Sequence, residues 1–478
     1  MANPKLFISF LWRFLERCGT HGLTLVVSLI LARLLGPEVF GTLALVTAVT
    51  EVLQTFVNSG LGLALVQKKD ADSCDFSSVF FFNIAFSICL YALLFLFAPL
   101  FANFYSKPEL TKVVRLLGIT VIIYGVTNIQ QAYVSRNLLF RLFFFVTLAA
   151  AILAAIVGIW MANCGFGIWA LVAQQLTQCV GVSLGLFITL KWRPTREFSW
   201  PRLKALISYG WKLLLSALVD RTYTQMRALI IGRMYTSADL AYYNRAYQIP
   251  TLISGNINEA IDSVAFPTMA QAQNDRQRVR AMMRKALQLG ICAVAPVMVW
   301  LSVVGVPFVR LVLSEEWLPC VPYLRIFCVT FMFLPVQSAN LNTINALGRS
   351  DIFLKLEICK KIVGLSLMLS SMWFGVMAMA YAMIVQSFLS QIINSWPNRK
   401  LIEYSYIEQL RDIFPYLALA CVMGIAAYMP MFLKLDDWAT ILLQTLLAIA
   451  VYWAGLALLK LECYCYLREI IKALLKRN

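Results

Sequence analysis

Seven stretches of this chain contain no charged side chain: Phe76–Ser106, Leu142–Leu190, Ala286–Val309, Ile326–Gly348, Ile362–Asn398, Ile413–Leu433 and Trp438–Leu459. Each is long enough for the roughly 20 apolar residues that carry a helix through a bilayer. Only 14% of the 478 residues are charged, against about a quarter in soluble chains, and 60% are apolar. These features exclude a water-soluble enzyme, a disordered chain and a fibrous one. The net charge of +17 is dispersed between apolar blocks. A nucleic-acid binder would gather it on a hydrophilic patch or tail, so no nucleic-acid partner is expected.

Two of the windows hold pairs of spans. Residues 142–190 are split by the turn-like Asn163-Cys164-Gly165-Phe166-Gly167, and 362–398 turn near Phe374-Gly375. With the charge-bearing spans added, the pattern predicts an all-α integral membrane protein of about fourteen transmembrane helices. They lie at 10–33, 40–66, 76–102, 111–133, 141–161, 166–190, 206–232, 240–268, 286–312, 321–346, 352–373, 375–396, 413–433 and 438–460. The N-terminal apolar segment lacks a small-residue cleavage pattern, so no cleavable signal peptide is expected. The N-terminal segment, alternate loops and C-terminal tail, with adjoining helix ends, hold 27 Lys and Arg against 7 on the opposite side. By the positive-inside rule both termini are cytoplasmic, with the basic loops Lys191–Lys204 and Arg276–Lys285 beside anionic lipid headgroups.

Twelve cysteines are scattered through apolar stretches without a CxxC pair; the closest two are Cys463 and Cys465. Neither a zinc site nor a disulfide scaffold fits this pattern, and His21 is the only histidine. Without a Gly-Lys dipeptide there is no Walker A lysine. No cofactor, metal or catalytic centre is expected.

An internal repeat is visible. Ile30-Leu31-Ala32-Arg33-Leu34-Leu35 aligns with Ile230-Ile231-Gly232-Arg233-Met234-Tyr235, and Arg115-Leu116-Leu117-Gly118-Ile119-Thr120 with Arg325-Ile326-Phe327-Cys328-Val329-Thr330. Six spans, an even number, separate the copies, so the two halves share one orientation. A parallel repeat about the membrane normal suits alternating access. The predicted divisions are 1–200 for an N-terminal lobe, 201–400 for a C-terminal lobe, and 401–478 for two further helices and a basic cytoplasmic tail.

The same regions carry a family resemblance. Leu31-Ala32-Arg33-Leu34-Leu35-Gly36-Pro37-Glu38-Val39-Phe40-Gly41 and Gly60-Leu61-Gly62-Leu63-Ala64-Leu65-Val66-Gln67-Lys68-Lys69-Asp70 resemble early signatures of the polysaccharide-transport branch of the MOP flippase superfamily. Tyr242-Tyr243-Asn244-Arg245-Ala246-Tyr247-Gln248-Ile249-Pro250, Phe266-Pro267-Thr268-Met269-Ala270, Glu315-Glu316-Trp317 and Ala346-Leu347-Gly348-Arg349-Ser350-Asp351 resemble later ones. The resemblance runs from about residue 28 to 415. It departs at Thr236-Ser237-Ala238, where the second half often repeats a Gly-Pro turn. It implies a MOP/MATE-like bundle of two six-helix lobes in pseudo-two-fold repeat, plus two C-terminal helices. It also implies the activity of Wzx-type flippases and of teichuronic- and colanic-acid exporters. These move polyprenyl-diphosphate-linked oligosaccharides across a bacterial inner membrane for O-antigen, capsule or exopolysaccharide synthesis. A polysaccharide polymerase is a further implied partner. The family does not fix a set of substrate residues.

Charges within spans supply the candidates. A charge at the bilayer centre costs at least about 2.5–3.5 kcal/mol, so it faces a wet cavity or a partner. Arg13, Arg17 and His21 share one face of the first span; Arg13 and Arg17 also suit snorkelling to headgroups. The seventh span carries Lys212, Asp220, Arg221 and Arg227, with Asp220 and Arg227 on one face, a pattern that also suits an internal ion pair. Arg guanidinium matches diphosphate oxygens with paired donors. The candidate diphosphate ligands are therefore Arg17, His21, Lys212, Arg221, Arg227 and Arg245. The carboxylates Glu51, Asp220, Glu259 and Asp262 are candidates for ion coupling or for neutralising a neighbouring Arg. Glu357 stands three and four residues before Lys360 and Lys361, which favours local ion pairing. Gln337, Asn340, Asn342 and Asn345 suit either hydrogen bonds between helices or a sugar-binding wall. Pro250, Pro296 and Pro335 are positioned to kink spans. The rival functions are a MATE-like small-molecule or ion antiporter and a membrane glycosyltransferase. The latter usually needs an acidic metal motif or a large hydrophilic loop, and neither is present.

Overall fold

The computed structural model describes residues 4–464 apart from 59, 69 and 434. Among the described residues every regular element is helical. Contacts group the chain into two compact units, Met1–Ala241 and Tyr242–Asn478.

The first unit contains α1 (Pro4–Asn58), α2 (Leu61–Gln67), α3 (Ser73–Phe104), α4 (Leu110–Arg136), α5 (Phe140–Asn163), α6 (Ile168–Thr189) and α7 (Trp200–Met234). It also contains the start of α8 (Ser237–Gln271). The spans expected at 10–33 and 40–66 are not joined by a loop. They form the two arms of α1, which bends at Gly36, where φ is 71° and ψ is 172°. That conformation favours glycine, and Pro37 restarts the helix beyond it. A second glycine in left-handed geometry, Gly60 (φ 67°), separates α2 from α1. Asp72 then starts α3 with a capping box: its side chain accepts from the Asp75 amide, and the Asp75 side chain accepts from the Asp72 amide. The Arg202 guanidinium and the Asp75 amide hold the exposed Asp72 carboxyl down at about 2.

Small side chains bring α1, α5 and α6 together: Val27 and Leu31 pack with Ala155, Ala162, Ala170 and Leu171. A second core joins α2, α3, α4 and α7 through Leu61, Leu65, Phe76, Val79, Phe80, Ile129, Leu203 and Leu206. The loop before α7 is docked on α3. Ser77 Oγ accepts from the Thr195 amide and Ser78 Oγ from the Ser199 amide, each at 2.9 Å. Trp192 packs against Phe76, Phe80 and Tyr133, with ring centroids 5.9 Å away in each case.

The second unit holds the rest of α8 and then α9 (Arg276–Val312), α10 (Val321–Met332), α11 (Leu334–Ala346) and α12 (Ser350–Ser371). It continues with α13 (Val376–Ser395), α14 (Asn398–Leu401), α15 (Tyr406–Tyr428) and α16 (Asp437–Leu458). The span expected at 321–346 is two helices, meeting at Phe333 just before Pro335. Pro250 and Pro296 lie inside uninterrupted α8 and α9. The main core of this unit joins α8, α9, α11, α15 and α16 through residues such as Met269, Leu287, Ile291, Val336, Tyr416, Ala420 and Leu456. Outside that core, Arg280 pairs with Glu408, and Arg284 with Asp412 and Glu462.

Ten helical stretches are long and apolar enough to cross a membrane. Their outward faces are apolar, with Leu96, Ile188, Phe414 and Leu458 exposed. In water such a surface would be unstable; against lipid it is not. Of the fourteen expected spans, the first two are counted as one, and α7, α8 and α12 fall outside the ten. These three each carry several charges within their spans, which lowers their hydropathy. The unit boundary at Ala241 differs from the repeat-based division at 200 because α7 packs on α1, α2 and α3.

Candidate functional site

The site is built on α7, and glycines let that helix lie close to its neighbours. At Gly60 an added Cβ would stand 2.8 Å from the Gly210 carbonyl oxygen, and at Gly232 one would stand 2.1 Å from a methyl carbon of Leu45. Tyr105 OH donates to the Leu229 carbonyl at 3.2 Å, which ties the end of α7 to α3.

With α7 held this way, its middle turn faces the second arm of α1. Arg221 Nη2 lies 3.0 Å from Glu51 Oε2. Gln225, one turn further along α7, donates its amide to the same carboxylate oxygen. Gln54, three residues after Glu51, donates to Thr120 Oγ on α4 at 3.4 Å. A guanidinium, a carboxylate and an amide therefore meet in a largely apolar unit, with the Gln54–Thr120 pair about one helical turn further along α1. The Arg221 side chain keeps 43% of its surface accessible and Glu51 29%. Both side chains keep accessible surface, and Arg221 offers a planar donor fork of the kind that matches phosphate oxygens.

The other sequence-predicted residues have different environments. Side chains of Arg13, Arg17, His21 and Lys212 lie outside the described residues, as does Cys465. Asp220 is exposed, and its carbonyl accepts from the Thr224 hydroxyl at 2.9 Å. Arg227 lies 6.0 Å from the Tyr223 ring. In the second unit Arg245 is only 4% exposed. Its guanidinium sits 5.6 Å from the Trp317 ring and donates to Gln248 at 3.3 Å. Glu259 is exposed, whereas Asp262 accepts from Asn258 at 2.8 Å and from Ser338. Lys360 pairs with Glu357 at 2.5 Å, as the spacing suggested.

Two of the amides expected to suit either a sugar wall or helix–helix bonding take the second role. Gln337 donates to Ser387 at 3.0 Å, and Asn340 is fully buried against Gln409. The residues missed from sequence are Gln225, Gln54 and Thr120. Helical spacing could have found two of them: Gln225 follows Arg221 by four and Gln54 follows Glu51 by three. Among the described residues no group of three or more His, Cys, Asp and Glu is placed to hold a metal, and ten cysteines are free.

An apolar shell around helices with buried polar contacts defines a multi-pass helical membrane protein. Its fold is similar to that of the lipid II flippase MurJ in an inward closed conformation: TM-score 0.76, 15% identity, 97% of this chain and 100% of that one. It is also similar to an inward-facing multidrug resistance MATE transporter of the MOP superfamily: TM-score 0.63, 16% identity, 80% of this chain and 94% of that one. The family described as polysaccharide biosynthesis protein matches residues 30–322, more than half of the chain, and the chain belongs to it. It is 26% identical over 385 residues to the teichuronic acid biosynthesis protein TuaB of Bacillus subtilis (strain 168), covering 79% of each chain. It is 23% identical over 386 residues to the lipopolysaccharide biosynthesis protein WzxC of Escherichia coli (strain K12), covering 80% of this chain and 78% of that one.

Proposed function

We propose that this protein is a flippase that moves polyprenyl-diphosphate-linked oligosaccharides across the bacterial inner membrane for surface polysaccharide synthesis. It works without catalysis, by alternating access around a cationic cavity. The reading includes fourteen spans, cytoplasmic termini and two six-helix lobes related by the repeat. A polysaccharide polymerase is its proposed downstream partner. Membership of the polysaccharide biosynthesis family supports the substrate class. The observation that carries the mechanism is the accessible Arg221 guanidinium held by Glu51 in mid-helix.

The chemistry follows from that pair. A diphosphate carries about two negative charges and accepts paired hydrogen bonds from Arg. Glu51 occupies the guanidinium face that the diphosphate would take. Ligand therefore competes with an internal carboxylate, which favours release as well as binding. A displaced Glu51 in a low-dielectric wall is suited to taking up a proton, so it is the first candidate for ion coupling. Asp220, Glu259 and Asp262 remain further candidates. Arg17, His21, Lys212 and Arg227 are proposed to extend the cationic path. Arg245, shielded beneath Trp317, is the weakest of the proposed ligands.

The test is leaflet exchange of a fluorescent polyprenyl-diphosphate oligosaccharide in proteoliposomes, read with an impermeant quencher. Protein-dependent exchange that falls in Arg221→Ala supports the reading. A second reading, a MATE-like antiporter of small cations, is favoured by the fold likeness and by the carboxylate of Asp262 held by Asn258 and Ser338. Ion-coupled cation efflux without glycolipid exchange would establish that alternative.

A further inference from the structure

Five amide side chains in the second unit, Asn340, Gln391, Asn394, Asn398 and Gln409, are completely buried. They come from α11, α13, α14 and α15. Part of the cluster is self-satisfied. Asn340 Nδ2 donates to Gln409 Oε1 at 2.8 Å, and Gln409 Nε2 donates to Asn340 Oδ1 at 3.1 Å. Asn398 Nδ2 also donates to Asn340 Oδ1, at 2.8 Å. Tyr406 OH donates to Gln391 Oε1 at 3.4 Å.

The remainder is unmatched. Gln391 Nε2, both amide atoms of Asn394 and Asn398 Oδ1 have no partner among the described residues. Gln391, Asn394 and Asn398 recur three and four residues apart, so they share one side of the chain as α13 runs into α14. A buried amide left unpaired is costly, and native proteins keep few of them. Two of these groups are N–H donors and two are carbonyl acceptors. A cation would satisfy only the oxygens and an anion only the N–H groups. Water does both, and buried water typically makes two to four such bonds.

We propose that this amide cluster is a built site for ordered water, held by Gln391, Asn394 and Asn398. The water completes the polar joint that fastens α13 and α14 to α11 and α15. The site is separate from Arg221 and independent of the transport reading. The test uses the full chain in lipid nanodiscs. A high-resolution map should show solvent density at hydrogen-bond distance, about 2.7–3.2 Å, from the Asn394 amide. The variant Asn394→Leu, similar in size but without polar atoms, should melt about 2–4 °C lower. Both proteins should melt at the same temperatures in sodium, potassium and choline chloride. A map without that density overturns the proposal, as does a variant at least as stable as the parent. Stabilisation by sodium or potassium alone would make this a cation site and overturn it equally. If the variant does not fold, the map of the parent protein and its melting in the three salts decide.

Discussion

At the scale of single residues, Arg221 and Arg245 make an instructive contrast. In the sequence both are arginines within spans. In the structure one has an accessible guanidinium against Glu51, and the other is buried beneath Trp317. The proposal therefore predicts unequal effects. Arg221→Ala should lower glycolipid exchange at least about tenfold, the loss expected when a charge-assisted contact of roughly 1.5–3 kcal/mol is removed. Arg221→Lys should recover only part of it, because an ammonium is a point charge without the planar fork. Arg245→Ala should instead act mainly on stability, lowering the melting temperature. Under proton coupling Glu51→Gln should flatten the pH dependence of exchange; unchanged dependence would remove Glu51 from the coupling role. The sequence displayed these charges but not their orientation. Glu51 and Arg221 are far apart in the chain, and periodicity says nothing about which arginine turns towards a distant carboxylate.

At the scale of elements, close helix contact depends on missing side chains. An added Cβ at Gly41 would stand 1.7 Å from the carbonyl oxygen of Ser237. The obstacle is backbone, so it cannot rotate away. Gly41→Ala should therefore destabilise the start of α8 against α1 by about 1–3 kcal/mol, read as lower melting temperature and folded yield. The Asp72 cap gives a milder prediction. Its replacement by Ala should cost about 1 kcal/mol, most of it from the lost cap, because the ion pair with Arg202 is exposed. Its carboxyl is held down at about 2, so this contribution is complete above the unfolded value and is lost only as pH falls towards 2. The difference between parent and variant should thus be constant from about pH 5 upwards. Apolar length made the helices legible in the sequence. Their breaks were less so: Gly36 produced a bend where a loop was expected, and the break before Pro335 divided one expected span in two.

At the scale of the whole molecule, the unresolved sequence signal was in the helices that carry several charges each. α7, α8 and α12 fail the apolar criterion that ten other stretches meet, yet the fourteen-span reading needs all three to cross. Thiol labelling tests this on a background with native cysteines replaced. Thr236→Cys, between α7 and α8, should react with an impermeant reagent added outside intact cells. Asn274→Cys, between α8 and α9, should react only after permeabilisation. Labelling of both from the same side would mean that α8 does not cross. The all-helical membrane class was legible because bilayer thickness imposes a length on every span. The grouping of α7 was not, since a repeat records correspondence between segments rather than where each one packs.

That grouping determines where the gene could be divided to make the protein from two separately translated fragments. The repeat points to residue 200, but a first fragment ending there would leave Leu61, Leu65 and Phe76 without Leu203 and Leu206, and Glu51 without Arg221. It would also end beside the docked Thr195–Ser199 segment, which has no slack to accept a new terminus. The turn at residues 235–236, between α7 and α8, leaves those contacts within one fragment and keeps the α8 contacts of the second unit within the other. Fragment complementation should therefore succeed at that turn and fail at 200.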